Sequence, residues 1–176
     1  DPRSWRAAGR VCLARGDPKR ALHLLERASA LRDDPLIRRD RALALADLGR
    51  TDDAVATLGE PADLDASGLL LRADWLHTLG RTDEALAACD LALDADAAAR
   101  DVVHQRRGTI LLAAGRPREA AAAFDAALGL QPEDAEYWCD AAVAWRTCGQ
   151  EAKARRLLAH ALELDPHLDR ALRLRG

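Results

Sequence analysis

The chain has no methionine and no asparagine, only two lysines, Lys19 and Lys153, and a single phenylalanine and tyrosine beside four tryptophans. Yet 49% of its 176 residues are apolar. A core drawn from that pool must be mainly alanine and leucine, which favours closely packed helices over sheets. No apolar run approaches the roughly 18 to 20 residues that cross a bilayer, and no secretory leader opens the sequence, so the expectation is a soluble chain without membrane insertion. The missing first methionine reads as an excised domain or processed product of a larger parent. A formal charge of −3 and a pI near 6.0 give no general attraction for nucleic acid or an anionic membrane. Cys12, Cys89, Cys139 and Cys148 form no C-x-x-C pair and stand at irregular spacings, so neither a zinc site nor a disulfide framework is expected. Cys12 and Cys89 read as small buried hydrophobes. Reduced thiols fit a cytoplasmic setting, and no metal or cofactor is expected.

What the chain does have is a repeat. Gly16, Gly49, Gly80, Gly115 and Gly149 are separated by 33, 31, 35 and 34 residues, and five residues after each stands an alanine: Ala21, Ala54, Ala85, Ala120 and Ala154. Each period holds two helical patterns around its glycine. In the last, Trp138, Ala141, Ala142 and Trp145 share one face at i, i+3, i+4 and i+7, and Ala154, Leu157, Leu158, Ala161 and Leu162 share another. Gly149 ends the first helix by accepting a left-handed cap, and Pro166 ends the second. The alanine five places after the turn belongs where the helices cross, because a larger side chain would push them apart. The recurring letters are therefore those that build a helical hairpin.

This pattern resembles the tetratricopeptide repeat family, whose motif places Trp, a small residue, Ala, an aromatic and Pro over 34 residues. Trp5 and Trp138 match the early tryptophan, Gly9 and Gly108 the small position, Phe124 the later aromatic, and Pro132 and Pro166 the closing proline. Five units cover approximately residues 2–34, 35–65, 66–100, 101–134 and 135–168, followed by 169–176 as a capping or partial helix in which Leu172 and Leu174 would cover the fifth unit. The second unit is short, and Gly59-Glu60-Pro61 predicts a shortened helix or local distortion around 59–65. The third has Asp96-Ala97 in place of the closing proline. The resemblance implies one all-α domain over residues 1–176: a right-handed superhelical solenoid of stacked antiparallel helix pairs, with no catalytic residues.

It also implies a concave groove lined by the first helix of each unit and occupied by a protein or peptide. The family register directs Arg3, Arg6, Arg10 and Leu13 of the first unit into it, with Arg39 and Leu43 of the second, and Leu70, Asp74 and His77 of the third. The fourth adds Val102, Gln105, Thr109 and Leu112, with Arg106 beside them; the fifth adds Glu136, Cys139, Val143 and Arg146. Such a groove is basic at its N-terminal end and mixed beyond. It suits an acidic, partly apolar segment, with Arg6, Arg10 and Arg39 meeting carboxylates and Leu43, Leu70 and Leu112 meeting aliphatic groups. The Lys, Asn and Arg clamp by which some relatives hold a chaperone C-terminus is absent from the groove positions.

Rival functions have less support. No set of histidines and acids forms a catalytic constellation: His23 and His160 fall on solvent faces of second helices, His104 replaces a tryptophan, and His167 follows Pro166. His77 lies one turn from Asp74, a spacing typical of a local surface pair. Cys139 reads as an exposed groove thiol, on the opposite helix face from Cys148. Repeats of about this length also read RNA, but the acidic balance and lack of asparagine argue against nucleic acid. The main alternative is a regulatory or self-associating segment of a larger enzyme or a secretion or assembly component.

Overall fold

The structure, a computed structural model, describes residues 1–175; Gly176, the last residue of the expected capping segment, lies outside them. Among the described residues there are eleven α-helices, two short 3-10 turns and no strand. The chain divides into two compact units, Asp1–Ala88 and the remainder from Cys89, with the division inside one helix.

Local chemistry sets the helix ends. Asp1, Asp17, Asp34, Asp65 and Asp134 each precede a helix and accept a hydrogen bond from a backbone N–H of its first turn, which satisfies donors the helix itself leaves unpaired. Within each of the five tight turns the glycine adopts a φ between +71° and +77°. The next residue's N–H returns to a carbonyl five residues back, as Asp17 does to Cys12 at 3.0 Å and Arg116 to Leu111 at 2.9 Å. This left-handed closure is one that residues with a Cβ resist.

The first unit contains α1 (Pro2–Ala14), α2 (Pro18–Leu31), α3 (Pro35–Asp47), α4 (Thr51–Leu58), a 3-10 turn (Pro61–Asp63), α5 (Ala66–Thr78) and the start of α6 (Thr82–Ala95). The α1/α2 and α3/α4 pairs are antiparallel hairpins; α2 and α1 both pack on α3, and α4 packs on α5. Their core joins Ala21, Leu22, Leu25, Ala42, Leu45, Ala54 and Leu58. The distortion expected at 59–65 is present. Gly59, at φ +93°, ends α4 after eight residues, whereas α2 runs for fourteen. Arg72 reaches over from α5, its Nη1 donating to the carbonyls of Gly59 at 3.1 Å and Val55 at 3.4 Å. A guanidinium thus serves backbone acceptors that a longer helix would have paired.

The second unit completes α6 and adds a 3-10 turn (Ala97–Ala99), α7 (Arg100–Ala113), α8 (Pro117–Leu130), α9 (Ala135–Thr147), α10 (Glu151–Leu164) and α11 (Asp169–Arg175). Hairpins α7/α8 and α9/α10 pack through α8 on α9, and α11 lies on α10. At the junction lacking a proline, Asp96 caps the 3-10 turn by accepting from the Ala98 N–H at 2.8 Å. Cys139, Ala142, Ala154, Leu158, Ala161 and Ala171 form the core around α9 and α10, with Leu168 and Leu174 against it. Leu172 does not cover the fifth unit as expected. It is 39% exposed, because helical phase turns Leu168, Ala171 and Leu174 inward together.

The glycines at the small position allow unusually close helix approach. A Cβ on Gly9 would lie 2.7 Å from Leu25 Cγ, and one on Gly108 would lie 2.7 Å from Phe124 Cε1. Ala21, Ala54, Ala85, Ala120 and Ala154 are all essentially inaccessible, as the crossing argument requires.

Candidate functional site

In the first unit, α1 and α3 run side by side and leave an open cleft of about 390 Å³ bounded by Arg6, Arg10, Leu13, Leu36, Arg39, Asp40 and Leu43. It brings together Arg6, Arg10, Leu13, Arg39 and Leu43, five of the residues assigned to the groove by register. A contiguous hollow of about 360 Å³ adds Arg3 and Arg32. The arginines are not equivalent. Arg6 Nε donates to Asp40 Oδ2 at 2.6 Å, and Asp40 is only 7% exposed. A buried carboxylate therefore already engages the Nε of Arg6. Arg39 Nη1 stands 3.8 Å from the exposed carboxylate of Asp65. Arg10 is exposed and has no carboxylate within ion-pair distance among the described residues. Leu70, Asp74 and His77 are half-buried along α5.

In the second unit, Gln105 donates to Asp140 Oδ2 at 3.0 Å, and Arg170 of α11 binds Asp140 Oδ1 at 2.5 Å and Glu136 at 3.0 Å. Thr109 is exposed but turns its hydroxyl onto the Gln105 carbonyl at 3.0 Å. Arg106, Leu112 and Val143 are half-buried, and Arg146 donates through Nη1 to the Leu174 carbonyl at 3.1 Å. Tyr137 donates to Asp101 at 3.4 Å; burial first, then the Asp101 charge, pushes its pKa up to about 12. Burial, reinforced by Arg107 and Arg100, lowers the pKa of His104.

Three expectations need correction: Cys12 packs against the first unit's core but is only partly buried, unlike the buried Cys89. Cys139 is not a groove thiol: it is fully buried in the core that α11 covers, and burial pushes its pKa up to about 11. His160 is not simply solvated, since its ring meets Trp138 edge-on at 4.2 Å between centroids and Nδ1 lies 3.0 Å from Glu163. Brief iodoacetamide treatment at pH 8 should therefore modify the partly exposed Cys12 and Cys148 and leave Cys139 unmodified until the chain unfolds, as read by peptide mass spectrometry. Equal rates at Cys139 and Cys148 would contradict this packing.

Residues that register alone overlooked are the acids facing the first-helix donors. Asp40 follows Arg6 by 34 positions and Asp140 follows Gln105 by 35, so the fifth position of one repeat reaches the sixth of the next. The repeat period carried that signal. Leu36, 50% exposed at the cleft, holds the second position of its repeat, the one Arg3 holds in the first, so the register itself carried its signal.

Antiparallel helix pairs closed by left-handed glycines, with first helices adjoining to form a cleft, define a helical-repeat protein. The chain belongs to the tetratricopeptide repeat family, whose model matches residues 6–62 and 106–174. Membership implies protein or peptide partners. Similar solved structures include MamA residues 41 to the end from Desulfovibrio magneticus RS-1, 21% identical with a TM-score of 0.81, covering 96% of this chain and 97% of that one. YrrB, described as a TPR protein with an unusual peptide-binding site, is 17% identical with a TM-score of 0.75 over 99% of this chain and 91% of its own. The C-terminal part of a TPR repeat-containing protein from Cytophaga hutchinsonii is 16% identical with a TM-score of 0.81, over 96% of this chain and 68% of that one. At these identities the likeness concerns the fold. No curated protein matches the chain. Among the described residues no helix is long and apolar enough to cross a membrane.

Proposed function

We propose that the chain is a non-catalytic interaction module whose five repeats act as one domain, holding an acidic, partly apolar segment of a partner protein along their first helices. The observation that carries this reading is the α1/α3 cleft, where Arg10 and Arg39 stand beside Leu36 and Leu43. Arg10 presents an accessible guanidinium to a carboxylate, and Arg39 can exchange a loose exposed acid for a better placed one, since a pair as open as Arg39 and Asp65 contributes little. Arg6 acts differently from the initial expectation: bound to Asp40, it holds α1 against α3. Leu70, Asp74 and His77 would extend the contact surface on α5. Gln105, Arg106, Thr109, Leu112, Val143 and Arg146 form the corresponding proposal for the second unit, without Cys139. The printed description of YrrB as peptide-binding is consistent with this use of the fold.

Selection from a displayed library of random dodecapeptides tests the reading. The chain should enrich peptides that combine Asp or Glu with Leu, Ile or Val, and Arg10→Glu with Arg39→Glu should weaken the best of them at least tenfold, or about 1.4 kcal/mol. Added salt should narrow that difference. No enrichment, or undiminished binding by a folded double variant at low salt, would overturn it.

A further inference from the structure

Beside Leu58, where α4 stops early, the first unit has a hollow. We infer that this hollow, between α3, α4 and α5, is a selectivity pocket for one aliphatic side chain of the bound segment, with the neighbouring acidic group of that segment meeting Arg39. The inference rests on the peptide-groove reading above and specifies what one position of the peptide must be.

The pocket has a volume of about 140 Å³, several times the ~30 Å³ share of one water molecule and enough for a branched four-carbon group. Pro35, Leu36, Leu58 and Leu64 supply its apolar lining, Gly68 contributes a wall without a side chain, and Arg38 and Arg39 share the rim with two acids, Asp65 and the exposed Asp63. A methyl group entering such a lining leaves water, whereas an amide or hydroxyl would lose its hydrogen bonds there. Leu36 and Arg39 also line the α1/α3 cleft, so a segment in that cleft passes the pocket mouth.

Charge at the rim sets the second requirement. Arg39 reaches Asp65 only at 3.8 Å, and the Asp65 side chain is 71% exposed. Meanwhile Asp65 Oδ1 is committed to the Gly68 N–H at 2.7 Å, capping α5. Arg38, also in the pocket wall, has a buried Nε without a hydrogen-bond partner; Asp33 stands 3.6 Å away. Two guanidiniums with incomplete partners beside an apolar hollow fit an aliphatic group carrying a nearby carboxylate. Gly59, at φ +93°, ends α4 next to the pocket and leads the chain into the 3-10 turn at Pro61–Asp63, whose Asp63 joins the lining.

The probe is 4-methylpentanoate, an isobutyl group joined to a carboxylate by a short linker, titrated into the ¹⁵N-labelled full chain beside acetate, butyrate and 4-methylpentanamide. The expected result is saturable amide shifts at Leu58, Leu64 and Gly68, with affinity rising at least fivefold from acetate to 4-methylpentanoate and falling at least threefold for the uncharged amide. Leu64→Phe, checked for folding by circular dichroism, should remove the shifts at Leu58 and Gly68 while preserving the acetate response around Arg10. The series on the unmodified chain supplies the same discrimination if that variant misfolds. Equal acetate and 4-methylpentanoate responses confined to α1 and α3 would overturn the pocket while leaving the peptide-groove reading intact. Absence of shifts at the pocket would likewise overturn it, and the peptide selection judges the groove separately.

Discussion

Phe124→Ala is expected to lower the unfolding free energy of the second unit by about 3 to 5 kcal/mol, the range for removing a buried aromatic ring. Phe124 is the chain's one phenylalanine and is 2% exposed on α8. Its ring faces Gly108 of α7 so closely that an added Cβ would sit 2.7 to 2.8 Å from three ring atoms. Gly108→Ala therefore carries opposed effects. In an open helix the change is worth about 1 kcal/mol in favour of alanine. Here overpacking of a rigid ring in a closed core costs about 1 to 3 kcal/mol, and a net loss of about 1 kcal/mol is expected. Combined with Phe124→Leu, whose smaller and more flexible side chain gives way, the alanine should cost less than it does alone. With Trp5 and Trp75 replaced by Phe, denaturant unfolding followed through Trp138 and Trp145 reports on this unit. A loss below about 1 kcal/mol for Phe124→Ala would contradict the described α7/α8 packing.

The second large effect lies at Asp140. Its carboxylate, 6% exposed, joins Gln105 on α7, its own helix α9 and Arg170 on α11. Asp140→Ala should destabilise the unit by about 1.5 to 3 kcal/mol, the scale of a hydrogen-bonded charge. The full penalty of a fully buried broken pair is not expected, because the Arg170 side chain is 39% exposed and keeps Glu136 at 3.0 Å. Arg170→Ala in the Asp140→Ala background should then cost less than in the original chain. Hydrogen exchange should show α11 loosening before α7. An unchanged unfolding curve for Asp140→Ala would mean that Coulomb attraction and desolvation cancel at this site.

These two sites differ in how far they were legible. Gly108 and Phe124 both occupy positions of the repeat motif, sixteen residues apart, so their pairing was implicit in the spacing. Asp140 was missed although the period of 34 to 35 residues already related acids at 40 and 140 to donors at 6 and 105. Register alone names the face a side chain occupies; it does not say whether another group has already neutralised it.

The sequence by itself determined the helix pairs, their turns and the truncation of α4, because each depends on neighbouring residues: aspartate caps, left-handed glycines, closing prolines and the Gly59-Glu60-Pro61 break. Tertiary structure alone decided which groove candidates face solvent. Cys139 shares the register of Arg6, yet the packing of α11 buries it, while Arg6 remains partly accessible but bound to Asp40. It also decided that Arg72 would cap the short helix and that a pocket would remain beside Leu58 and Leu64. The physical reason is range. Capping and turn geometry act over a few residues, whereas burial and ion pairing depend on which distant helix comes to lie alongside.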